Sequence, residues 1–170
     1  ADIKGFFDNI NHKFILNNLF LHKVGLIFIE SWLKSGVISR SWQQEIFEPT
    51  ISGTPQGGII SPTLANFTLN GLQKVVREAL WPLTKSKDNK ISIPSQKTTI
   101  PSYLQVIRYA DDFVITSRNK YILNELVIPK VKEFLAIRGL EISTEKTKMF
   151  RLKDGEKLRY LGYVFHYEEK

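Results

Sequence analysis

Cysteine is absent from the 170 residues, and methionine occurs once. No disulfide framework and no thiolate metal site can form, which is compatible with an intracellular setting. No apolar run approaches the roughly 20 residues that span a bilayer, so no membrane partner is expected. The first residues lack the basic-then-apolar plan of a secretory signal. Histidine is scarce, and His12, His22 and His166 stand at no ligand spacing, so they read as structural or surface residues. Acidic residues are in deficit: 17 Asp and Glu against 24 Lys and Arg, a net charge of +7. A pI near 9.5 points to an anionic partner, nucleic acid first. The hydrophobic fraction of 42% suffices for a core, and the length suits one domain or a compact piece of a larger one.

The most informative stretch is Ile107-Arg108-Tyr109-Ala110-Asp111-Asp112-Phe113-Val114-Ile115-Thr116. Apolar and β-branched residues flank two adjacent carboxylates, which predicts strand, tight turn, strand. Two carboxylates at a hairpin tip repel each other, and a buried pair is costly without a cation between them. A hard divalent ion such as Mg²⁺ takes oxygen ligands and suits the position. A two-metal centre brings about three carboxylates to two cations roughly 3.5–4 Å apart. Asp2, at a strand end before a turn, is the best third candidate. Asp8 lies beyond that turn, where it can cap the next helix.

Along the chain, residues 1–8 read as a strand end entering a turn. Nothing before Ala1 begins an element, so a fragment or split subunit is expected. Asn9 or Asn11 caps a helix carrying Phe14, Ile15, Leu16 and Leu19, which Gly25 ends. A short helix follows over Ile27–Leu33. Residues 37–58, with Trp42, predict short strands or a hairpin leading into Gly53-Thr54-Pro55-Gln56-Gly57-Gly58. Ser61 caps a helix with Pro62 in its first turn and Leu64, Phe67, Leu72, Val75 and Ala79 as its apolar stripe; Pro82 ends it. Residues 83–102 form a loop insertion. A helix from about Lys120 to Arg138 is kinked or restarts at Pro129, and Gly139 stops it. Ile142 begins a short extended piece. Strands at 148–152 and 158–165 join through Asp154-Gly155. Helices gathered on one face of a mainly antiparallel sheet make an α+β fold.

Five blocks stand in order: Asp2-Ile3-Lys4-Gly5-Phe6-Phe7-Asp8-Asn9-Ile10-Asn11-His12, Gly53 to Pro62, Arg108 to Ile115, Gly139-Leu140-Glu141-Ile142-Ser143-Thr144-Glu145-Lys146-Thr147-Lys148, and Leu158-Arg159-Tyr160-Leu161-Gly162-Tyr163. Together they resemble the palm of a reverse transcriptase, closely like those encoded by group II introns. The resemblance implies a right-hand polymerase palm over residues 1–170, with fingers and thumb absent. It implies an RNA-directed DNA polymerase that copies intron RNA into cDNA during retrohoming, with a linked splicing (maturase) role. Alternatives are an RNA-binding maturase that uses the fold as a scaffold, or the enzyme of another bacterial retroelement, a retron or a diversity-generating element.

Carried over residue by residue, the resemblance makes Asp2, Asp111 and Asp112 the ligands of two Mg²⁺ ions, with the Ile3 carbonyl as an extra ligand. One ion would activate the primer 3′-hydroxyl and the other would hold the triphosphate and leaving pyrophosphate. Phe7 falls at the aromatic gate that excludes a 2′-hydroxyl; Phe6 beside it reads as core. Gln56 and Gly57 match the loop that contacts nucleotide and template, and Tyr109 precedes the carboxylates on the substrate side. Lys146 matches the lysine near the triphosphate, a general-acid candidate. Leu161, Gly162 and Tyr163 match the primer grip. The implied partners are an RNA template or intron RNA, a DNA primer and dNTPs. The implied setting is a bacterial cytoplasm, or alternatively a mitochondrion or chloroplast. The chain by itself is expected to show weak or no polymerase activity and to form a homo-oligomer through exposed edges.

Overall fold

A computed structural model describes residues 1–40, 45–54, 58–79 and 104–168. The expected insertion at 83–102, Trp42, Pro82, Gln56 and Gly57 lie outside the described residues. After an extended start over residues 1–3, the chain winds into α1 (Phe6–Asn9), α2 (His12–Asn18) and α3 (Lys23–Leu33). Asn11, not Asn9, is the cap of α2: its Oδ1 accepts from the Phe14 amide at 3.2 Å. Gly25 does not end a helix; it lies inside α3, and the break falls at residues 19–22. One interior glycine costs about 1 kcal/mol, and the burial of Ile29 and Leu33 on the same helix offsets it.

Strands β1 (Val37–Arg40) and β2 (Glu45–Glu48) pair antiparallel with Val37 opposite Glu48, as the sequence predicts. The helix expected from Ser61 is two helices, α4 (Ser61–Thr68) and α5 (Leu72–Glu78). Gly71, at φ 93°, divides them, a conformation open chiefly to glycine. The cap position falls on Ile60 rather than Ser61, while Pro62 stands in the first turn as expected.

Strands β3 (Gln105–Tyr109) and β4 (Asp112–Thr116) form the predicted hairpin, with Tyr109 opposite Asp112. A π-helical turn over Ile122–Val127 leads into α6 (Ile128–Ala136), whose first turn holds Pro129. The helix therefore restarts at the proline. Pro129 has no amide hydrogen for the preceding turn, and a π turn is a usual way to absorb the lost register. No strand forms at 148–152: that stretch is irregular and passes into a 3₁₀ turn at Leu152–Asp154. The last hairpin pairs β5 (Leu158–Tyr160) with β6 (Tyr163–Phe165), so Leu161-Gly162, not Asp154-Gly155, is its turn.

Residues 1–3 knit the middle of the molecule. Ala1 and Phe113 exchange both backbone bonds, at 2.7 Å and 3.1 Å, so the first segment lies antiparallel beside β4. Its other edge bridges Ile3 to Ile142, with Lys4 N donating to Glu141 O and Ser143 N to Asp2 O, each at 2.9 Å. The expected extended piece at Ile142 is this edge. The helices, the first segment and the β3–β4 hairpin share one core, in which Ile3, Ile10, Ile15, Leu33, Leu69, Leu72, Val76, Phe113, Val131 and Leu135 are almost fully buried. Among the described residues no helix is long and apolar enough to cross a membrane.

Arg138, half-buried, clamps three helices. Its Nε donates to Thr68 O and its Nη1 to Phe134 O, both at 2.7 Å. The guanidinium lies 3.4 Å from the Phe134 ring centroid and 4.4 Å from that of Phe14. Burial pushes its pKa down to about 10, so it stays charged at neutral pH. A lysine keeps the charge but has neither the fork nor the stacking plane. Arg138→Lys is expected to cost about 1–2 kcal/mol, a fall in Tm of about 2–8 °C by thermal denaturation.

Candidate active site

The register built from Ala1 and Phe113 decides which carboxylates meet. In an antiparallel pair that exchanges both bonds at Ala1 and Phe113, the next rung sets Asp2 directly across from Asp112. That rung is a non-hydrogen-bonded one, where Cα atoms stand about 4.5 Å apart and side chains share a face. Both residues line one open cleft of about 1420 Å³. Burial pushes the Ala1 amino group below its ordinary value, and the charges of Asp112 and Asp2 pull it back up, so both carboxylates lie near that nitrogen.

Asp111 is placed differently. It is the second residue of the two-residue turn between Tyr109 and Asp112, half-buried, while Asp112 opens β4. A turn residue does not follow the face alternation of the strand beside it, so the direction of Asp111 is set by the turn. Among the described residues no group of three or more His, Cys, Asp or Glu side chains is placed to hold a metal ion. The register thus sets Asp112, rather than Asp111, across from Asp2. Ala110 takes the turn at φ 52°, a left-handed conformation that costs an ordinary residue roughly 1–2 kcal/mol. Arg108 braces it, its Nη1 donating to Ala110 O at 2.7 Å and to Asn66 Oδ1 at 3.0 Å.

Two like charges facing across a rung destabilise a sheet unless something answers them. Lys146 does so here: its Nζ lies 3.3 Å from Asp2 Oδ2, with Lys146 73% exposed and Asp2 20%. The turn that carries Lys146 is fastened to Asp2, since the Asp2 amide donates to Thr147 Oγ1 at 3.3 Å and Asp2 O accepts from Ser143 N. Ile3 is buried. Because backbone directions alternate along a strand, its carbonyl faces the β4 side. Carboxylates and a carbonyl are a hard-oxygen donor set of the kind Mg²⁺ takes, so the residues present fit that ion.

The remaining candidates surround this pair. Phe7 sits in α1, half-buried, in edge contact with the buried Phe6 at 5.3 Å. Its carbonyl accepts from Thr54 N at 2.6 Å, which holds the 52–54 loop against it. Tyr109 is 66% exposed at the end of β3. Leu161 and Gly162 turn the last hairpin at φ 50° and 82°, with Leu161 and Tyr163 exposed. His12 is buried, and its Nε2 meets Gly53 O at 2.6 Å, a structural role; His22 and His166 are exposed.

Two residues without a role in the sequence reading emerge. Thr147 holds the Asp2 amide. Tyr160 reaches from the last hairpin to donate its hydroxyl to Asp112 O at 3.3 Å, and burial, then the Asp112 charge, push its phenol above its ordinary value. Thr147 lies within residues 139–148 and Tyr160 within 158–163, but nothing in their spacing links them to Asp2 or Asp112.

A cleft with facing carboxylates at one end and Lys146, Lys148, Arg151 and Arg159 along its walls is a place for a polyanion and a cation together. Residues 1–165 match the family described as "Reverse transcriptase (RNA-dependent DNA polymerase)". The chain belongs to that family. It is similar to the group II intron-encoded protein LtrA of Lactococcus lactis subsp. cremoris, at 30% identity over 96% of this chain and 34% of LtrA. It is also similar to an uncharacterized 91 kDa protein in the cob intron of Schizosaccharomyces pombe, at 26% identity over 95% of this chain and 24% of that protein. A third relative is protein YkfC of Escherichia coli, at 26% identity over 91% of this chain and 43% of YkfC. The chain therefore spans about a third of the length of LtrA.

Proposed function

We propose that this chain is the palm of a group II intron-encoded reverse transcriptase and carries its polymerising centre. The single observation that supports this best is the rung that faces Asp2 with Asp112 inside a cleft walled by basic residues. Family membership supplies the reaction class, and the likeness to LtrA and to the cob-intron protein supports an intron RNA as template, with retrohoming and a linked splicing role. The partners proposed are that RNA, a DNA primer and dNTPs, in a bacterial cytoplasm or an organelle. Fingers and thumb are proposed to lie in flanking regions of the working polymerase, and homo-oligomer formation through exposed edges is proposed for the isolated domain.

Asp2 and Asp112 would hold Mg²⁺, with Asp111 and the Ile3 carbonyl completing the set for two ions. When bound, the metal supplies charge that acidifies a primer hydroxyl and neutralises a triphosphate. The chain's own residues position the rest, since phosphoryl transfer asks a protein mainly for placement and charge. Tyr160 holds the Asp112 backbone, and Thr147 and Ser143 hold that of Asp2. Lys146 stands where an ammonium meets a triphosphate and can return a proton to the leaving pyrophosphate. Leu161, Gly162 and Tyr163 are assigned to support of the primer end, and Gln56, Gly57 and Tyr109, from the family resemblance, to contact with template and nucleotide. Phe7 packs under the incoming sugar and leaves no room for a 2′-hydroxyl.

The test is extension of a DNA primer on an RNA template with dNTPs and Mg²⁺. A form of the protein that supports the duplex is expected to make cDNA, and the 170-residue chain alone to extend weakly. Phe7→Ala is expected to raise incorporation of rNTPs relative to dNTPs by at least about tenfold, the effect of roughly 1.4 kcal/mol of steric exclusion. Unchanged sugar selection would remove Phe7 from the site.

A further inference from the structure

The Lys146–Asp2 contact places a cation of the protein where a cation of the medium would bind. The two residues are 144 positions apart, yet their approach is built into the backbone. Asp2 O accepts from Ser143 N, Thr147 N donates to Ser143 O at 2.9 Å, the Asp2 amide donates to Thr147 Oγ1, and Lys146 N donates to Ser143 Oγ at 3.3 Å. The short turn over residues 143–147 therefore cannot move away from Asp2 without breaking sheet bonds. Only the lysine's flexible stem is free to move, and its ammonium is the exposed partner.

We propose that Lys146 is an internal counter-cation that competes with divalent metal for Asp2. With no metal bound, its ammonium offsets the repulsion between Asp2 and Asp112 and keeps the rung closed. When a divalent ion takes the Asp2 carboxylate, the ammonium 3.3 Å from Oδ2 meets a second positive charge at close range and is repelled. Lys146 is displaced into the basic cleft, where its charge is available to a phosphate. The residue thus sets the metal concentration at which the site fills, a role separate from any proton it transfers. The inference rests on the reading of Asp2 and Asp112 as metal ligands.

The experiment is Mn²⁺ binding to the protein, read by the loss of the free-ion electron paramagnetic resonance signal, with no substrate present. Lys146→Met keeps the stem and removes the charge. It is expected to tighten Mn²⁺ roughly two- to five-fold at low salt, the fold-change that corresponds to an exposed ion pair. Lys146→Ala is expected to do the same, Lys146→Arg to bind as the wild type does, and the gap to shrink at high salt as the pair is screened. Asp2→Asn is expected to weaken binding in every background. Equal or weaker Mn²⁺ affinity in both Lys146→Met and Lys146→Ala would overturn the competition and leave the metal site standing. Failure of every form to hold Mn²⁺ would overturn the metal site itself, and the competition with it.

Discussion

Asp112→Asn is expected to lower cDNA synthesis by at least about 10³-fold, the scale on which preorganised charge acts in a reacting centre. The same change is expected to leave the fold intact or slightly more stable. Asp112 faces Asp2 across a rung, and like charges directly opposite cost a sheet roughly 0.2–1 kcal/mol. Asparagine removes the repulsion and keeps the shape, and the Tyr160 hydroxyl still finds the residue 112 carbonyl. Tm is therefore expected to hold or to rise by up to about 2–4 °C. The opposed signs are the informative part: a residue that only supports structure loses stability when it loses activity. Activity and a melting curve on one preparation, in a form of the protein that extends a primer, check both. Retention of more than a tenth of the wild-type rate would remove Asp112 from the centre.

Gly53→Ala carries the largest expected cost to stability. Gly53 sits at φ 80°, where a side chain is strained, and an added Cβ would clash with Phe7 O and lie 2.6 Å from Asp8 O. Those are backbone atoms and cannot swing aside. The loop is also fastened at every residue: Ser52 Oγ donates to Asp8 O at 2.9 Å, Gly53 N to Ile10 O at 2.8 Å, and Thr54 N to Phe7 O. The left-handed conformation contributes roughly 1–2 kcal/mol and the clash at least as much again. A loss of about 3 kcal/mol follows, lowering Tm by about 6–12 °C. Because the atom struck is the Phe7 carbonyl, the variant is also expected to relax sugar selection at temperatures where it stays folded. Hydrogen exchange of the Gly53 and Thr54 amides checks the mechanism, since both should lose protection first.

Much of the outline was legible from local chemistry. The Asp-Asp hairpin followed from apolar flanks around a polar pair. The α2 cap followed from Asn11 and the restart of α6 from Pro129, because caps and prolines act within one turn of chain. The errors share a cause. Asp154-Gly155 carries a stronger turn signal than Leu161-Gly162, and Gly25 looks like a stop. Yet the last hairpin turns at Leu161 in a left-handed conformation, and α3 runs through Gly25. Burial and cross-strand pairing outweigh preferences of about 1 kcal/mol per residue.

The amino-acid order alone determined that the chain would place acidic side chains on rigid strands amid a basic surface, and which polymerase family it belongs to. Those properties live in short stretches, where each residue senses only near neighbours. Only the tertiary structure decided that Asp112, rather than Asp111, stands opposite Asp2, that Lys146 answers the pair, and that Tyr160 and Thr147 hold its backbone. Each of those contacts joins segments tens of residues apart or more, through a strand register that one step of slippage would turn inside out.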